Sequence, residues 1–210
     1  MSLQRSSIAR LFTCGLLALF LSGCTTSVTV EGTVPTPLVA KIPARIGIHF
    51  PEEFKTFTYK EVVRETGTYK IDLGEQNLDF FRNLYGSMFS GVSEVGEPPL
   101  PDDSALDGMV VTRIVKYGFL TPAISGLKFF SASIQYQITI YDAAGDKVGD
   151  WNIVGYGKSE GGAFQSEDAL GEATLLAIRD GGARIAIELR QQPQVRAWIE
   201  SLEAQGETGP

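Results

Sequence analysis

The feature that most constrains the fold is a strict alternation of apolar and polar side chains in residues 131–141. The apolar positions are Ile134, Tyr136, Ile138 and Ile140, and the polar positions between them are Gln135, Gln137 and Thr139. A period of two is typical of a β-strand with one buried face. Residues 142–147 contain Gly145, which suits a tight turn, and residues 148–157 can return as the partner strand. The sequence therefore predicts a long β-hairpin over about residues 131–157.

Three further segments have strand patterns. Residues 44–50 alternate, with three apolar side chains on one face: Ile46, Ile48 and Phe50. Residues 109–120 are rich in β-branched and aromatic side chains, and residues 92–95 can form a short strand. Residues 52–71 mix aromatic and charged side chains without a clear period. We expect an irregular stretch with short extended pieces there.

Helical spacing marks three segments, at about residues 73–89, 167–190 and 193–203. The first segment carries a stripe of large apolar side chains: Leu78, Phe81, Tyr85, Met88 and Phe89. The second contains Gly181 and Gly182, which indicate a kink or close packing. Together these elements predict one α+β domain, in which a mixed or antiparallel sheet carries the helices on one face.

The first 23 residues have the pattern of a secretory signal. Residues 1–10 carry Arg5 and Arg10 and no acid, and residues 11–21 form an apolar run. That run is too short to span a bilayer, which takes about 20 apolar residues. We therefore expect a signal peptide that is removed from the mature protein.

This segment ends in Leu21, Ser22, Gly23 and Cys24. These residues resemble the lipobox of bacterial lipoproteins, in which a leucine and two small residues precede a cysteine. The resemblance implies cleavage before Cys24 and acylation of its sulfur and amine, so that lipid anchors the mature chain to a membrane. Thr25 follows the cysteine where some lipoproteins have aspartate. By resemblance to Gram-negative sorting rules, this implies the periplasmic face of the outer membrane.

The expected organisation has four parts. They are a signal peptide at residues 1–23, a lipidated N-terminus and tether at 24–43, a single α+β periplasmic domain at 44–204 and a disordered tail at 205–210. Prolines oppose a helix in the tether, which can contain a short strand at 27–30. Fully extended at about 3.3 Å per residue, the tether could span roughly 60 Å.

Composition excludes several classes of function. The chain has 210 residues, of which 43% are hydrophobic and 20% charged, and these values are ordinary for a globular protein. Removal of the signal peptide leaves 16 basic and 25 acidic side chains, a net charge of −9. Such an acidic chain is a poor nucleic-acid binder, since phosphate contacts come mainly from Lys and Arg. One histidine and at most one mature cysteine exclude metal sites rich in these residues, and we expect no cofactor.

Catalytic patterns are weak, and we expect no enzymatic activity. His49 is the only imidazole, and no serine lies in a G-x-S-x-G turn, since Ser87 falls on a predicted helix. A hydrolase that uses His49 is a remote alternative. The adjacent pairs Glu52/Glu53 and Asp102/Asp103 are typical of solvated charge. The glycine-rich residues 155–162 fit neither of the phosphate-binding patterns GxGxxG and GxxxxGK(S/T), and we interpret them as a flexible connection between a strand and a helix.

The segment from 117 to 130 is the strongest candidate for a contact surface. Its large apolar side chains are Phe119, Leu120, Ile124, Leu127, Phe129 and Phe130. Two interpretations are open: the segment packs into the core, or its tip protrudes and docks on a partner or a lipid. Trp198, on the apolar stripe of the last helix, presents the same choice.

The order of elements over about residues 44–190 is similar to that of small α+β outer-membrane lipoproteins that serve envelope machines. Examples are the lipopolysaccharide-assembly lipoprotein of the LptE type and the YajG-like lipoproteins. This resemblance implies an accessory or assembly factor that binds an envelope protein through a sheet edge or an apolar loop. The alternative is a carrier with a lipid or glycan held between sheet and helices. The oligomeric state is left open.

Overall fold

The computed structural model describes residues 25–33, 35, 37–64, 66–101, 104–161 and 166–207. The strands in chain order are β1 (Thr25–Thr29), β2 (Ile42–His49), β3 (Thr58–Val63), β4 (Gly67–Asp72), β5 (Phe89–Glu94), β6 (Gly108–Leu120), β7 (Phe130–Asp142) and β8 (Lys147–Ser159). The helices are α1 (Glu52–Lys55), α2 (Gly74–Met88), α3 (Pro122–Ser125), α4 (Ser166–Glu188) and α5 (Pro193–Glu207). A single 3₁₀ turn, Leu189–Gln191, joins α4 to α5.

The predicted hairpin forms two strands of a five-stranded mixed sheet in the order β5-β2-β6-β7-β8. β6, β7 and β8 are antiparallel neighbours of 13 residues each, whereas β2 runs parallel to both β5 and β6. The face that carries Ile134, Tyr136 and Ile138 is called the inner face, because these side chains are fully buried. The predicted α+β class and the single domain are confirmed.

Two long helices cover the inner face, and buried hydroxyl pairs fix them to it. The Tyr136 hydroxyl donates to the side-chain oxygen of Asn77 on α2, and the hydroxyls of Tyr117 and Thr174 on α4 lie 2.7 Å apart. Burial raises the pKa of both phenols, which therefore stay neutral. Buried polar groups need such partners, so these bonds favour one docking position for each helix.

Three glycines let α4 lie unusually close to its neighbours. An ideal Cβ on Gly157 would be 1.9 Å from the Ala173 carbonyl oxygen, and one on Gly182 would be 1.9 Å from the ring of Phe80. An ideal Cβ on Gly155 would meet the backbone of α4 in the same way, at 2.0 Å from the Ala177 carbonyl oxygen. Close packing, rather than a kink, is therefore what the predicted glycine pair provides, since α4 runs unbroken through it.

A second sheet was not predicted. The segment at 52–71, expected to be irregular, contains α1 and the hairpin of β3 and β4. β1 runs parallel to β4 and completes a three-stranded sheet in the order β1-β4-β3. This sheet packs on the inner face, where the ring centroids of Tyr59 and Tyr117 are 5.1 Å apart and those of Tyr69 and Phe119 are 5.2 Å apart.

The tether prediction needs correction. Residues 25–29 form β1, which confirms a short strand in this region two residues earlier than the predicted start, and Val28 and Val30 are buried in the core. The chain is therefore part of the domain from Thr25 onward, and a free reach of about 60 Å from an anchor at residue 24 does not exist.

The predicted helices are confirmed with small shifts at their ends. α2 and α4 lie within two residues of the predicted bounds, and α5 extends to Glu207, so that the first part of the expected disordered tail is helical. On α5, Val195, Trp198 and Ile199 are buried, which settles the choice for Trp198 in favour of the core.

Candidate functional site

Two exposed regions of the domain carry large apolar side chains together. The first is the end of the long sheet where β6 stops and β7 begins. The second is the face of β6, β7 and β8 opposite the inner face, called here the outer face. Cys24 lies outside the described residues, but Thr25, which follows it, is the first residue of β1.

A short capped helix shapes the end of the sheet. Pro122 starts α3, and the Thr121 hydroxyl accepts a hydrogen bond from the Ile124 amide at 3.4 Å. Gly126 ends α3 with φ of 70°, a conformation that glycine adopts without strain. These local bonds hold residues 121–129, called the α3 loop, in a defined shape above the ends of β6 and β7.

The structure divides the six apolar residues predicted as contacts. Phe119 and Phe130 belong to the core, with exposed fractions of 7% and 3%. Phe129 is half-buried, and the Lys158 ammonium lies 4.1 Å from its ring centroid. The other three are exposed: Leu120 at 44%, Ile124 at 42% and Leu127 at 49%. One part of the segment therefore packs into the core and the other part is exposed, and docking of the exposed part stays a prediction.

A pocket of about 590 Å³ opens beside the α3 loop and is called the terminal pocket. It is lined by Thr26, Thr66, Tyr69, Thr121, Pro122, Ala123, Leu127, Lys128, Phe130, Gly161 and Ser166. Its wall combines hydroxyl groups with apolar and aromatic surface, and the titratable side chains among its described lining residues are Tyr69 and Lys128. Such a lining can bind an amphiphilic molecule, and its described residues include no carboxylate or imidazole for acid–base chemistry.

The outer face was missed by sequence reasoning. A β-bulge between Ile114 and Lys116 places Val115 and Lys116 consecutively on this face. Val115, Val154 and Tyr156 form what is called the outer patch, with exposed fractions of 53%, 50% and 53%. The alternation in β8 places Val154 and Tyr156 on the face opposite Ile153 and Gly155, but it does not show which of the two faces the helices cover.

The charged side chains of the strand residues around the outer patch are basic, although the chain as a whole is acidic. Lys116 and Lys158 are exposed on this face, and Arg113 lies on it within 3.8 Å of Glu53. No acid occurs in residues 113–120, 131–137 or 151–159, which form this part of the three strands. The outer face therefore suits a surface that presents both apolar and acidic side chains.

One end of the outer face is already covered. Leu100 from the loop after β5 packs on Met109 and Val111 near the hairpin turn. At the open edge of β8, the Tyr156 amide donates to the Asp180 carboxylate of α4 at 3.0 Å. This side-chain bond occupies an edge position that a further strand would need, so the exposed face is a better candidate contact than the edge.

The His49 and Ser87 side chains, considered above for catalysis, contact backbone carbonyl oxygens. His49 Nδ1 lies 3.3 Å from the Val95 carbonyl oxygen, and the Ser87 hydroxyl donates to the Leu84 carbonyl. Asp102 and Asp103 lie outside the described residues. In the part of the chain that the structure describes, no three His, Cys, Asp or Glu side chains are grouped to hold a metal ion.

The carrier hypothesis requires space between the sheet and the helices. Phe81, Tyr85 and Tyr136 fill this layer and are fully buried, and the rings of Phe81 and Tyr136 are 4.8 Å apart. The terminal pocket lies instead at the end of the sheet. Within the described ranges, no helix has the length and hydropathy needed to cross a membrane.

Several solved bacterial structures resemble this one. A protein from Helicobacter pylori, provisionally identified as a homologue of neuraminyllactose-binding hemagglutinin, gives a TM-score of 0.50 at 11% identity, covering 80% of this chain and 96% of that chain. A DUF330 protein from Xanthomonas campestris gives a TM-score of 0.44 at 12% identity, covering 80% of this chain and 99% of that chain. A protein from Caulobacter crescentus, provisionally described as a lipoprotein, gives a TM-score of 0.39 at 8% identity, covering 60% of this chain and 83% of that chain.

These likenesses concern the fold alone, since all three identities are far below the level at which activity can be transferred. The Helicobacter pylori protein shares the α+β fold of this chain. No protein-family model matches the chain, and no curated protein matches its sequence.

Proposed function

We propose that this protein is a lipid-anchored lipoprotein of the periplasmic face of the outer membrane, without catalytic activity, that serves an envelope complex by binding a protein partner. The lipobox at residues 21–24 supports the anchor. The observation that carries the binding role is the outer patch, where three large apolar side chains are about half exposed on one open sheet face.

The mechanism is positional. Acyl chains on Cys24 confine the domain to the membrane surface, and confinement raises its effective concentration near partners in the same membrane. The outer patch supplies apolar contact, while Lys116 and Lys158 favour partners with an acidic rim. Rigid strands carry these side chains, so little conformational order has to be gained on binding.

We expect Val154→Glu to reduce the partner that copurifies with the tagged, lipidated protein by about tenfold or more, because a carboxylate would be buried in an apolar contact. The measurement is quantitative mass spectrometry of envelope proteins recovered with each variant. The matched control is Ile187→Glu, which places the same charge at an exposed apolar position on α4. Equal recovery of every envelope protein with both variants contradicts binding through the outer patch.

A further inference from the structure

The predicted anchor lies at one defined end of the domain. Thr25 directly follows Cys24 and is already the first residue of β1, where it pairs with Thr68 of β4. One residue spans at most about 3.6 Å. Acyl chains on Cys24 would therefore hold the start of β1 within a few ångströms of the lipid headgroups, with no spacer between them.

The same end of the domain exposes apolar side chains. The terminal pocket brings Thr26 of β1 together with Leu127 of the α3 loop. A neighbouring groove joins the α3 loop to β3, since Ala123, Ile124 and Val62 all line it. Val62 is 76% exposed, more than Ile124 or Leu127. We call Val62, Ile124 and Leu127 the terminal patch.

We infer that the terminal patch is seated in the phospholipid leaflet to which Cys24 is anchored. This inference rests on the proposed lipid anchor. Apolar side chains on a membrane-bound surface enter about 5–10 Å into the boundary between headgroups and acyl chains. The charged side chains that line the two pockets, Glu61, Arg64 and Lys128, have both signs, so burial of apolar surface rather than electrostatic attraction provides the contact.

Continuity with the anchor is what favours lipid over a protein at this surface. Leu127 of the terminal patch and Thr26 of β1 border the same pocket, so a partner protein there would have to enter the space between the domain and its own acyl chains. A bilayer occupies that space already.

Seating this end on the membrane also orients the binding surface. β6 ends and β7 begins beside the α3 loop, so both strands rise away from the bilayer toward the hairpin turn. At about 3.4 Å per residue, strands of 13 residues place that turn about 40 Å above their lower ends. The outer patch then faces sideways along the membrane, where a partner anchored in the same membrane can reach it.

A spin label tests the seating on the full lipidated protein in phospholipid vesicles. The mature chain has no free thiol once Cys24 is acylated and the segment with Cys14 is removed, so Leu127→Cys provides a single labelling site. The control label is Ile187→Cys, also exposed, about 30 Å from Ser166 along α4. Collision rates with dissolved oxygen and with a water-soluble nickel chelate report the depth of each label.

We expect the label at 127 to collide several-fold less with the nickel chelate than the label at 187, and more with oxygen. Ala123→Cys, on the exposed side of α3, repeats the measurement with all three side chains of the terminal patch in place. Equal nickel collisions at 123, 127 and 187 in acylated protein overturn the seating while leaving the anchor intact. Intact mass of the same sample reports acylation separately. An unacylated cysteine overturns both the anchor and the inference that rests on it.

Discussion

Cys24→Ser should abolish acylation and release the mature domain from the membrane. Burial of acyl chains stabilises anchoring by about 0.8 kcal/mol per methylene group, and a single chain gives only reversible binding. The multiple chains implied by the lipobox therefore dominate membrane affinity, and the terminal patch alone cannot replace them. The measurement is the intact mass of the mature protein together with metabolic incorporation of a labelled fatty acid.

The chain offers a matched control for this experiment in its other cysteine. Cys14 lies in the apolar run that is predicted to be removed, so Cys14→Ser should change neither the mature mass nor the fatty-acid label. A wild-type protein with an unmodified thiol at Cys24, or fatty-acid incorporation that persists in Cys24→Ser, contradicts the anchor.

Gly157→Ala should cost about 3 kcal/mol of folding free energy or more, because the new Cβ would lie 1.9 Å from the Ala173 carbonyl oxygen. The conflict is with backbone, so no side-chain rotation relieves it, and α4 must move off β8. For a domain of this size, we expect a fall in melting temperature of about 6–12 °C. Urea unfolding followed by circular dichroism measures the change in free energy.

Gly118→Ala is the appropriate comparison, since Gly118 is also a strand glycine. Its ideal Cβ would meet only the Ser133 hydroxyl oxygen, at 3.9 Å. The loss of chain entropy in the unfolded state should make this substitution neutral or stabilising by up to about 1 kcal/mol. Equal stability of the two variants would show that α4 does not pack against β8 as closely as described.

The predictable part of the fold is the part with a clear hydrophobic period. The hairpin of β7 and β8 and the helices α2 and α4 bury one face against a common core, so their burial pattern is visible in the sequence. The hairpin of β3 and β4 was missed because the adjacent Lys60 and Glu61 break the period of two in β3, where Tyr59 is only partly buried.

Two sequence interpretations were incomplete because the structural role of the residue depends on a contact far away in the sequence. Gly155 and Gly157 fall both in the predicted partner strand and in the predicted flexible connection; they lie in β8, and they permit the approach of α4, which was not predicted. Residues 25–30 look like a polar spacer, but β1 is held by pairing with β4 and by the burial of Val28. Local composition carries no information about such pairings.

The candidate surfaces were predictable to the same limited degree. The α3 loop stood out because apolar residues surround Pro122 and Gly126, yet only the structure separates exposed Ile124 and Leu127 from buried Phe130. The outer patch was not found, since an exposed valine or tyrosine on a strand has the same pattern as a buried one. Its exposure depends on the helices covering only the inner face.

Photocrosslinking in living cells tests the central claim most directly, that an anchored domain binds a protein partner through its outer face. A photoreactive phenylalanine replaces Tyr156 in one strain and Ile187 in a second, and both are compared with the Tyr156 probe in Cys24→Ser protein. The account predicts a discrete adduct with one envelope protein from position 156, none from 187, and a strong reduction without the lipid anchor. No adduct from position 156 in folded, acylated protein, or the same adducts from 156 and 187, would contradict it.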